Sequence, residues 1–428
     1  MHFNEDFLQY IWKFRLFDMN NLHTTDGEEL QIISPGLQNT NAGPDFQDAK
    51  IKIGDTLWAG NAEIHLSSLE WKQHGHHTNN AYNSVILHVV YRDDEPVYRS
   101  NGTKVPTLVL FNRISQELYT RYHHLIFDQK QFIPCESRIG TIDGLLIQNW
   151  LTRVLIERLQ KRSIALTEAL KVNRGDWEET FYQFLAANFG FKINALPFEM
   201  LAKSLPQNIL AKHKNNTMQI EALIFGQAGF LTEDLADEYP QLLKKEYDFL
   251  QKKYNLKPIE KHLWKFLRLR PLNFPTIRLA QFAALVATSN NLLSKVLETR
   301  EPEAFFKLFD DIKVNAYWDN HYQFDKPSVI ANKTMGKASV NVLLVNTLTL
   351  FLFTYGNYHQ LERYVNRSLK LLEHLTVEKN SIMDNFALLG IKVKTAYESQ
   401  ALLELKNSYC DHKKCLQCGV GIKILKLA

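Results

Sequence analysis

The chain has 428 residues, of which 45% are apolar and 22% are charged, and its formal net charge is +4. This balance is that of a folded protein and excludes a largely disordered chain. The length predicts two or three domains. The small positive charge neither requires nor excludes a nucleic-acid partner.

The N-terminus and the apolar segments favour a cytoplasmic protein. Glu5 and Asp6 stand where a secretory signal needs positive charge and then an apolar run. The most apolar stretch, residues 340–355, contains Asn341 and Asn346 and falls short of the ~20 apolar residues that span a bilayer. We therefore expect a buried helix in this stretch and no membrane association.

Residues 1–138 are predicted to form a strand-rich domain with a mixed sheet. Apolar residues recur at helical spacing between positions 4 and 17, which predicts an opening amphipathic helix. Alternating apolar residues bounded by turn residues then predict strands at 30–33, 49–53, 58–66, 85–90 and 105–111. The strand at 85–90 is apolar on both faces, as is typical of a central strand.

Acidic residues gather around the predicted hairpin of the second and third strands. Glu63 and His65 are two residues apart in one strand, so they project from the same face, towards the point where Asp45 or Asp48 enters the hairpin. Two carboxylates in one place suit Mg²⁺ or Mn²⁺, which can activate a water molecule. The alternative is that Asp45 caps a turn and that Glu63 and His65 lie on an exposed sheet surface.

Pro44-Asp45, followed after the hairpin by Glu63-x-His65, resembles the motif of the PD-(D/E)xK nuclease superfamily. The resemblance implies phosphodiester hydrolysis in DNA or RNA, with Asp45 and Glu63 binding the divalent cation and Asp48 as a third ligand. His65 stands where this superfamily has lysine, and its imidazole would orient water or serve as a base or ligand near neutral pH. Glu5 would fill the acidic helix position that some members have.

A histidine-rich loop follows the strand that carries Glu63. His74 and His76 flank Gly75, and together with His65 and Glu63 they offer the imidazole and carboxylate ligands that zinc, manganese or iron accept. The same histidines would also bind a phosphate group of a substrate. Because metal-binding β-barrels combine His-x-His with Glu as well, a β-sandwich remains an alternative architecture. His77 is expected to be solvated, and His88 to be a buried ring bonded to a neighbour.

From residue 139 to residue 405 apolar residues recur every three or four positions, which predicts a larger, all-helical domain. Arg268, Arg270 and Arg278 surround a proline-bounded turn in this domain. Because guanidinium groups bind phosphate bidentately, these arginines are candidates for gripping a nucleic-acid backbone. A salt-bridged corner between domains is the alternative. The fold class predicted for the whole chain is therefore α+β.

Residues 406–428 form a cysteine-containing tail. Cys410, Cys415 and Cys418 have the close spacing of thiolates that wrap one soft cation, and the fourth ligand is Cys135 or His412. If it is Cys135, the metal would dock the tail near that residue. The metal would be zinc or an iron–sulfur cluster, the latter being carried by some nucleases of the superfamily named above. The alternative is a set of unpaired thiols.

Over its whole length the chain resembles an uncharacterised family found mainly in Bacteroidota, the domain of unknown function 2851. The resemblance rests on Gly43-Pro44-Asp45-Phe46, Gly60-Asn61-Ala62-Glu63-Ile64-His65, the arginine segment and the final cysteines. It implies the architecture and no reaction. Three hypotheses for function therefore stand: a metal-dependent nuclease, a non-enzymatic module that binds nucleic acid or protein, and a His/Glu metalloenzyme that acts on a small molecule.

Overall fold

The computed structural model describes residues 3–39, 41–127, 131–288, 292–310 and 312–426. The chain is an α+β protein, as predicted, with an N-terminal mixed sheet followed by a larger helical region. It divides into two compact units. The first consists of Met1–Trp150 together with Leu405–Ala428, and the second of Leu151–Glu404.

The first unit is built around one sheet with helices on its faces. Up to the start of the second unit its elements are α1 (Glu5–Phe14), β1 (Leu30–Ser34), β2 (Leu37–Gln38), β3 (Phe46–Ile53), β4 (Thr56–Ser67), α2 (Glu70–Gln73), β5 (Val85–Arg92), β6 (Thr107–Val109) and α3 (Gln116–Phe127). Helix α4 (Gly144–Val172) begins in this unit and continues into the second.

The sheet is antiparallel on one side and parallel on the other. Its order is β1-β3-β4-β5-β6, with β2 pairing only with β3. Strands β1, β3 and β4 are antiparallel, and β3 and β4 form a hairpin whose turn contains Gly54 at φ +56°. Strands β4, β5 and β6 are parallel. A parallel neighbour requires a crossover, and residues 68–84 provide it between β4 and β5.

Helix α1 is an amphipathic helix with well-defined ends. The side chain of Asn4 accepts a hydrogen bond from the backbone N–H of Phe7, which caps the N-terminus, and acids occupy the first turn. Arg15 ends the helix in the left-handed conformation. Phe7, Leu8 and Trp12 are buried, and the helix packs on β4. This packing fixes where Glu5 lies relative to the sheet.

In the described part of the second unit the named elements are helices, apart from one short hairpin. Its elements are α5 (Trp177–Phe189), α6 (Ala195–Ser204), α7 (Gln207–Ala211), α8 (Thr217–Gln227), α9 (Glu238–Tyr254), α10 (Pro275–Thr288), α11 (Leu292–Glu298), α12 (Pro302–Asp310), β7 (His321–Gln323), β8 (Lys326–Pro327), α13 (Lys337–Leu343), α14 (Thr349–Tyr358), α15 (Glu362–His374), α16 (Ser381–Leu388) and α17 (Ala396–Glu404). Helix α18 (Gly419–Lys426) then returns to the first unit.

The most apolar segment of the chain is a core helix of the second unit. Lys337–Tyr358 combines α13, a π-helical turn at Leu344–Leu348 and α14. It is long and apolar enough to cross a membrane, but 72% of its most apolar window is buried inside the protein. Other parts of the protein therefore cover this helix, in agreement with the buried helix predicted for residues 340–355.

Candidate metal centre

Strand β4 carries two polar side chains into the interior of the first unit. Glu63 is 4% exposed and His65 is 1% exposed. Their face of the sheet is covered by α1 and by the crossover between β4 and β5, so the pair is not an exposed surface pair. His88 on β5 lies opposite Glu63 in the parallel register. Its Nε2 is 2.9 Å from Nδ1 of His65, which matches the buried, hydrogen-bonded ring expected for His88.

The crossover folds back so that two more histidines reach Glu63 and His65. Gly75 has φ +74°, a conformation that glycine adopts without strain, and it turns the chain between His74 and His76. The His76 ring is buried and stacks on Tyr82 with a centroid distance of 3.7 Å. His77 is exposed, as expected.

Four potential ligand atoms converge at this place. Oε1 of Glu63 is 3.1 Å from Nε2 of His76 and 3.6 Å from Nε2 of His65. Nδ1 of His74 is 3.2 Å from Nε2 of His65. In a tetrahedral metal site with bonds of about 2 Å, ligand atoms are about 3.3 Å apart. These three pairs are therefore close to the spacing of a metal coordination shell, although the group of ligand atoms that all lie within 4.8 Å of one another contains the three histidines and not Glu63.

The three histidines form a compact group of their own. A metal ion can be held by three or more His, Cys, Asp or Glu residues whose ligand atoms all lie within 4.8 Å of one another. Within the described ranges, His65, His74 and His76 form such a group. His65 and His76 are buried, whereas His74 is exposed. One side of the group is therefore accessible from solvent.

Asp45 fixes the orientation of Glu63. The backbone N–H of Asp45 donates to Oε2 of Glu63 at 3.0 Å, and the backbone N–H of Ile64 donates to Oδ2 of Asp45 at 3.0 Å. These reciprocal bonds tie the start of β3 to the middle of β4. With Oε2 engaged in this way, Oε1 is the oxygen that faces the histidines.

Glu5 from α1 completes a cluster of acids at this site. Burial, together with the charges of Asp45, Glu70 and Glu63, raises the pKa of Glu5 to about 7. Burial likewise raises the pKa of Glu63, and burial with the charge of Glu63 raises that of Asp45. Several buried carboxyls that compete for charge are stabilised by a bound cation.

The imidazoles are held in the neutral form, which is the form that binds metals. Burial, with a smaller contribution from the neighbouring histidines, lowers the pKa of His65 to about 2. Burial lowers the pKa of His88 to about 3 and that of His76 to about 4. Neutral rings keep a free lone pair on one nitrogen, so they are ready ligands.

The structure places the other candidate residues away from this cluster or in different surroundings. Asp48 is exposed at a β-bulge of β3, with φ +57°, so its side chain is not among the converging groups. Arg268 and Arg270 are exposed in the second unit. Arg278 is 4% exposed, and its guanidinium donates to Gln281, Asn273 and Ser339 instead of facing solvent.

Tyr82 and Trp71 shape the site without having been singled out from the sequence. Trp71 is fully buried between the rings of His76 and His88, and its indole N–H donates to the carbonyl of Tyr98 at 2.9 Å. The signal that could have identified them is the position of one aromatic residue at each end of the histidine-rich loop.

Fold and site together define a two-unit α+β protein with a buried cluster of histidines and carboxylates on its sheet. The chain belongs to the family described as protein of unknown function (DUF2851), whose model matches residues 5–381. No curated protein and no solved structure shows significant similarity to the chain.

Proposed function

We propose that the first unit is a divalent-metal-dependent hydrolase of phosphodiester bonds, with Glu63, His65, His74 and His76 as ligands of the cation. The observation that carries the proposal is the convergence of His65, His74 and His76 within 4.8 Å of one another, with Oε1 of Glu63 beside His65 and His76. The accessible side at His74 leaves room for a water molecule and a substrate oxygen.

The donor set decides which cations to expect. Three imidazole nitrogens and one carboxylate oxygen suit manganese, zinc or iron, whereas magnesium prefers oxygen ligands alone. Manganese is the cation that both the two-acid motif and the histidine cluster accept. Magnesium is also included in the experiment below, because Asp45 and Glu5 supply further carboxylate oxygens near the site.

The remaining polar groups have supporting roles. Asp45 holds Glu63 in place, and His88 holds the ring of His65 through its Nδ1. Glu5 approaches from α1 and lies within electrostatic reach of Asp45, Glu63 and His74. A carboxylate beside a metal-bound water is suited to accept the proton that the water loses on attack. We assign this role to Glu5.

A phosphodiester substrate is favoured by the order of these groups along the chain. An acid on the opening helix, Asp45 at the start of a strand and Glu63-x-His65 in the next strand resemble the arrangement of the PD-(D/E)xK nucleases. The cation would neutralise a phosphoryl oxygen as charge builds up on it. Exposed Arg268 and Arg270 in the second unit offer contacts to a nucleic-acid backbone.

A second candidate is a metalloenzyme that acts on a small molecule. The observation that favours it is the excess of imidazole over carboxylate ligands, which is common to zinc and iron enzymes of many reaction classes. It predicts tight metal binding without cleavage of nucleic acid. A purely structural metal site predicts tight binding with no turnover of any ester.

The test is cleavage of labelled single- and double-stranded DNA and RNA by the full chain with Mn²⁺, Zn²⁺ or Mg²⁺. We expect Mn²⁺-dependent cleavage that His76→Ala reduces at least tenfold. The control is His77→Ala, because His77 is exposed next to the site and should leave activity unchanged. Cleavage that persists in His76→Ala would be attributed to a contaminant. No cleavage by metal-loaded wild type under any of the conditions would contradict the proposal.

A further inference from the structure

We propose that Cys135, Cys410, Cys415 and Cys418 together hold a second metal centre through four thiolates. Three of these cysteines lie beyond the residues that the family model matches. The centre uses only sulfur ligands, so it selects a thiophilic metal, as a single zinc ion or as an iron–sulfur cluster.

The four cysteines come from separate segments of the first unit. Cys410 ends a π-helical segment, Leu405–Cys410, and such segments occur frequently at functional sites. Cys415 starts a short 3-10 helix, and Cys418 immediately precedes α18. Cys135 lies more than 270 residues earlier in the sequence. It is part of a turn in which the backbone N–H groups of Arg138 and Ile139 donate hydrogen bonds to its carbonyl oxygen.

The four thiols are largely removed from solvent. Cys135, Cys415 and Cys418 are buried, Cys410 is half-buried, and none of the four forms a disulfide. Burial raises the pKa of Cys410, and the neighbouring charges of Cys135, Cys418 and Cys415 raise it further. Burial also raises the pKa of Cys135, and Cys418 and Cys415 are its electrostatic neighbours. The packing of the flanking residues places these segments together: Nζ of Lys406 lies 5.0 Å from the ring of Phe132, near Cys135, and the ring of Trp150 contacts both Tyr409 and Gly419, which are next to Cys410 and Cys418.

The fourth ligand is Cys135 and not His412. His412 lies on the loop between Cys410 and Cys415, but its side chain is exposed to solvent. It does not shift the pKa of Cys410, Cys415 or Cys418. Cys135 is buried among them. A matched pair of substitutions can therefore test the assignment.

Polar N–H groups surround the thiol of Cys418. Burial raises the pKa of this thiol, and the backbone N–H groups of Gly421 and Val420 and the indole of Trp150 partly offset that effect. Donors of this kind surround metal-bound thiolates. Gly421 is required for the approach, because a Cβ there would lie 2.3 Å from the carbonyl oxygen of Cys415.

The spacing of the sulfurs bears on the kind of centre. A single zinc ion with Zn–S bonds of about 2.3 Å draws its sulfurs to about 3.8 Å from one another. Among the described residues, no three of these cysteines bring their sulfurs within 4.8 Å of one another, whereas the three histidines meet that limit. An iron–sulfur cluster places iron and sulfide between the thiolates and so accepts a wider spacing.

The centre would fix the C-terminal segment to the helices of the first unit. Nζ of Lys413 donates to the carbonyl of Ile126 on α3 at 2.5 Å, and the hydroxyl of Tyr10 on α1 donates to the carbonyl of Ile422 at 3.4 Å. Nζ of Lys426 lies 3.7 Å from the centroid of the Phe14 ring on α1. Loss of the metal would therefore loosen α18 from its neighbours.

The experiment measures zinc, iron and acid-labile sulfide in full-length protein that is expressed with both metals and purified without oxygen. His65→Ala/His76→Ala serves as the background, so that metal at the histidine cluster does not contribute. We expect one zinc per chain without sulfide, or several irons with matching sulfide and visible absorption. In this background Cys135→Ser should lose at least nine-tenths of the metal, and His412→Ala should retain it.

A second measurement does not depend on whether the cysteine variants fold. Native protein without cysteine substitutions is alkylated with and without a strong chelator, and the labelled cysteines are identified by mass spectrometry while circular dichroism monitors the helices. We expect all four thiols to become reactive only after metal removal. Metal content unchanged in Cys135→Ser, or thiol reactivity that the chelator does not alter, would overturn the proposal, and so would isolation of the four cysteines as disulfides without metal.

Discussion

Replacement of Glu63 by glutamine should have opposite effects on the metal-free and the metal-loaded protein. The carboxyl is 4% exposed, and burial raises its pKa from 4.5 to about 7. A raised pKa favours the protonated folded state, so this stability is present at low pH and is lost as the pH rises through 7. Above pH 7 the metal-free fold therefore contains a buried charge that glutamine would remove.

The magnitude follows from the shift in pKa. At ~1.4 kcal/mol for each pKa unit, the charge on Glu63 costs the metal-free protein about 3 kcal/mol at pH 8. The backbone N–H of Asp45 bonds the carboxylate of Glu63, and a neutral glutamine accepts this bond less strongly, so we expect a gain of about 2 kcal/mol. For a unit of this size the transition would rise by about 4–8 °C. The gain should disappear below pH 4.5.

Added metal should reverse the order of stability. Mn²⁺ or Zn²⁺ at a hundred times its dissociation constant would stabilise the wild type by about 3 kcal/mol. Glu63→Gln lacks the anionic ligand and should gain little. Both proteins are melted at pH 8 with chelator and with metal, and Asp48→Asn is the control because Asp48 is exposed at the bulge. The reasoning is refuted if Glu63→Gln is the less stable protein in chelator, or if both proteins respond equally to metal.

Other substitutions test different parts of the structure. Burial raises the pKa of Glu221 to about 7 although Tyr239 and Asn315 partly offset this effect, so Glu221→Gln should stabilise the protein by about 2 kcal/mol at pH 8 and by nothing below pH 4.5, as measured by urea unfolding; a loss at pH 8 would contradict this. Arg278→Ala should cost about 2–3 kcal/mol because it leaves buried acceptors unpaired, whereas Arg270→Ala, at an exposed residue, should change stability by less than about 0.5 kcal/mol; equal effects would argue against the buried network. Gly421→Ala should lower the metal content of the cysteine centre, since the added Cβ would meet Cys415, and unchanged content would exclude the close approach.

Much of the sheet follows from local patterns. Alternating apolar residues and turn residues predicted the strands that became β1, β3 and β4, and a run that is apolar on both faces predicted β5. The period of two placed Glu63 and His65 on one face. The sequence did not show whether that face is covered. Its burial depends on α1 and on the crossover after β4, which are tertiary contacts that no local pattern encodes.

Asp48 and Arg278 do not occupy the sites predicted for them, and in each case the reason is a local feature of the backbone. A bulge with left-handed backbone at Asp48 turns this residue out of the register that would have brought it to the site. Arg278 lies within α10, which begins at Pro275, and not in the proline-bounded turn where the sequence analysis placed it. Proline is favoured at the first position of a helix, and the helical position carries Arg278 into the core, against Gln281 and the ring of Phe191.

The most direct test of the metal centre is anomalous diffraction from crystals of the full chain soaked in Mn²⁺ or Zn²⁺. We predict a peak about 2 Å from Oε1 of Glu63, Nε2 of His65, Nδ1 of His74 and Nε2 of His76. The absence of a peak among these four atoms at saturating metal, in crystals whose other metal sites are filled, would contradict the account.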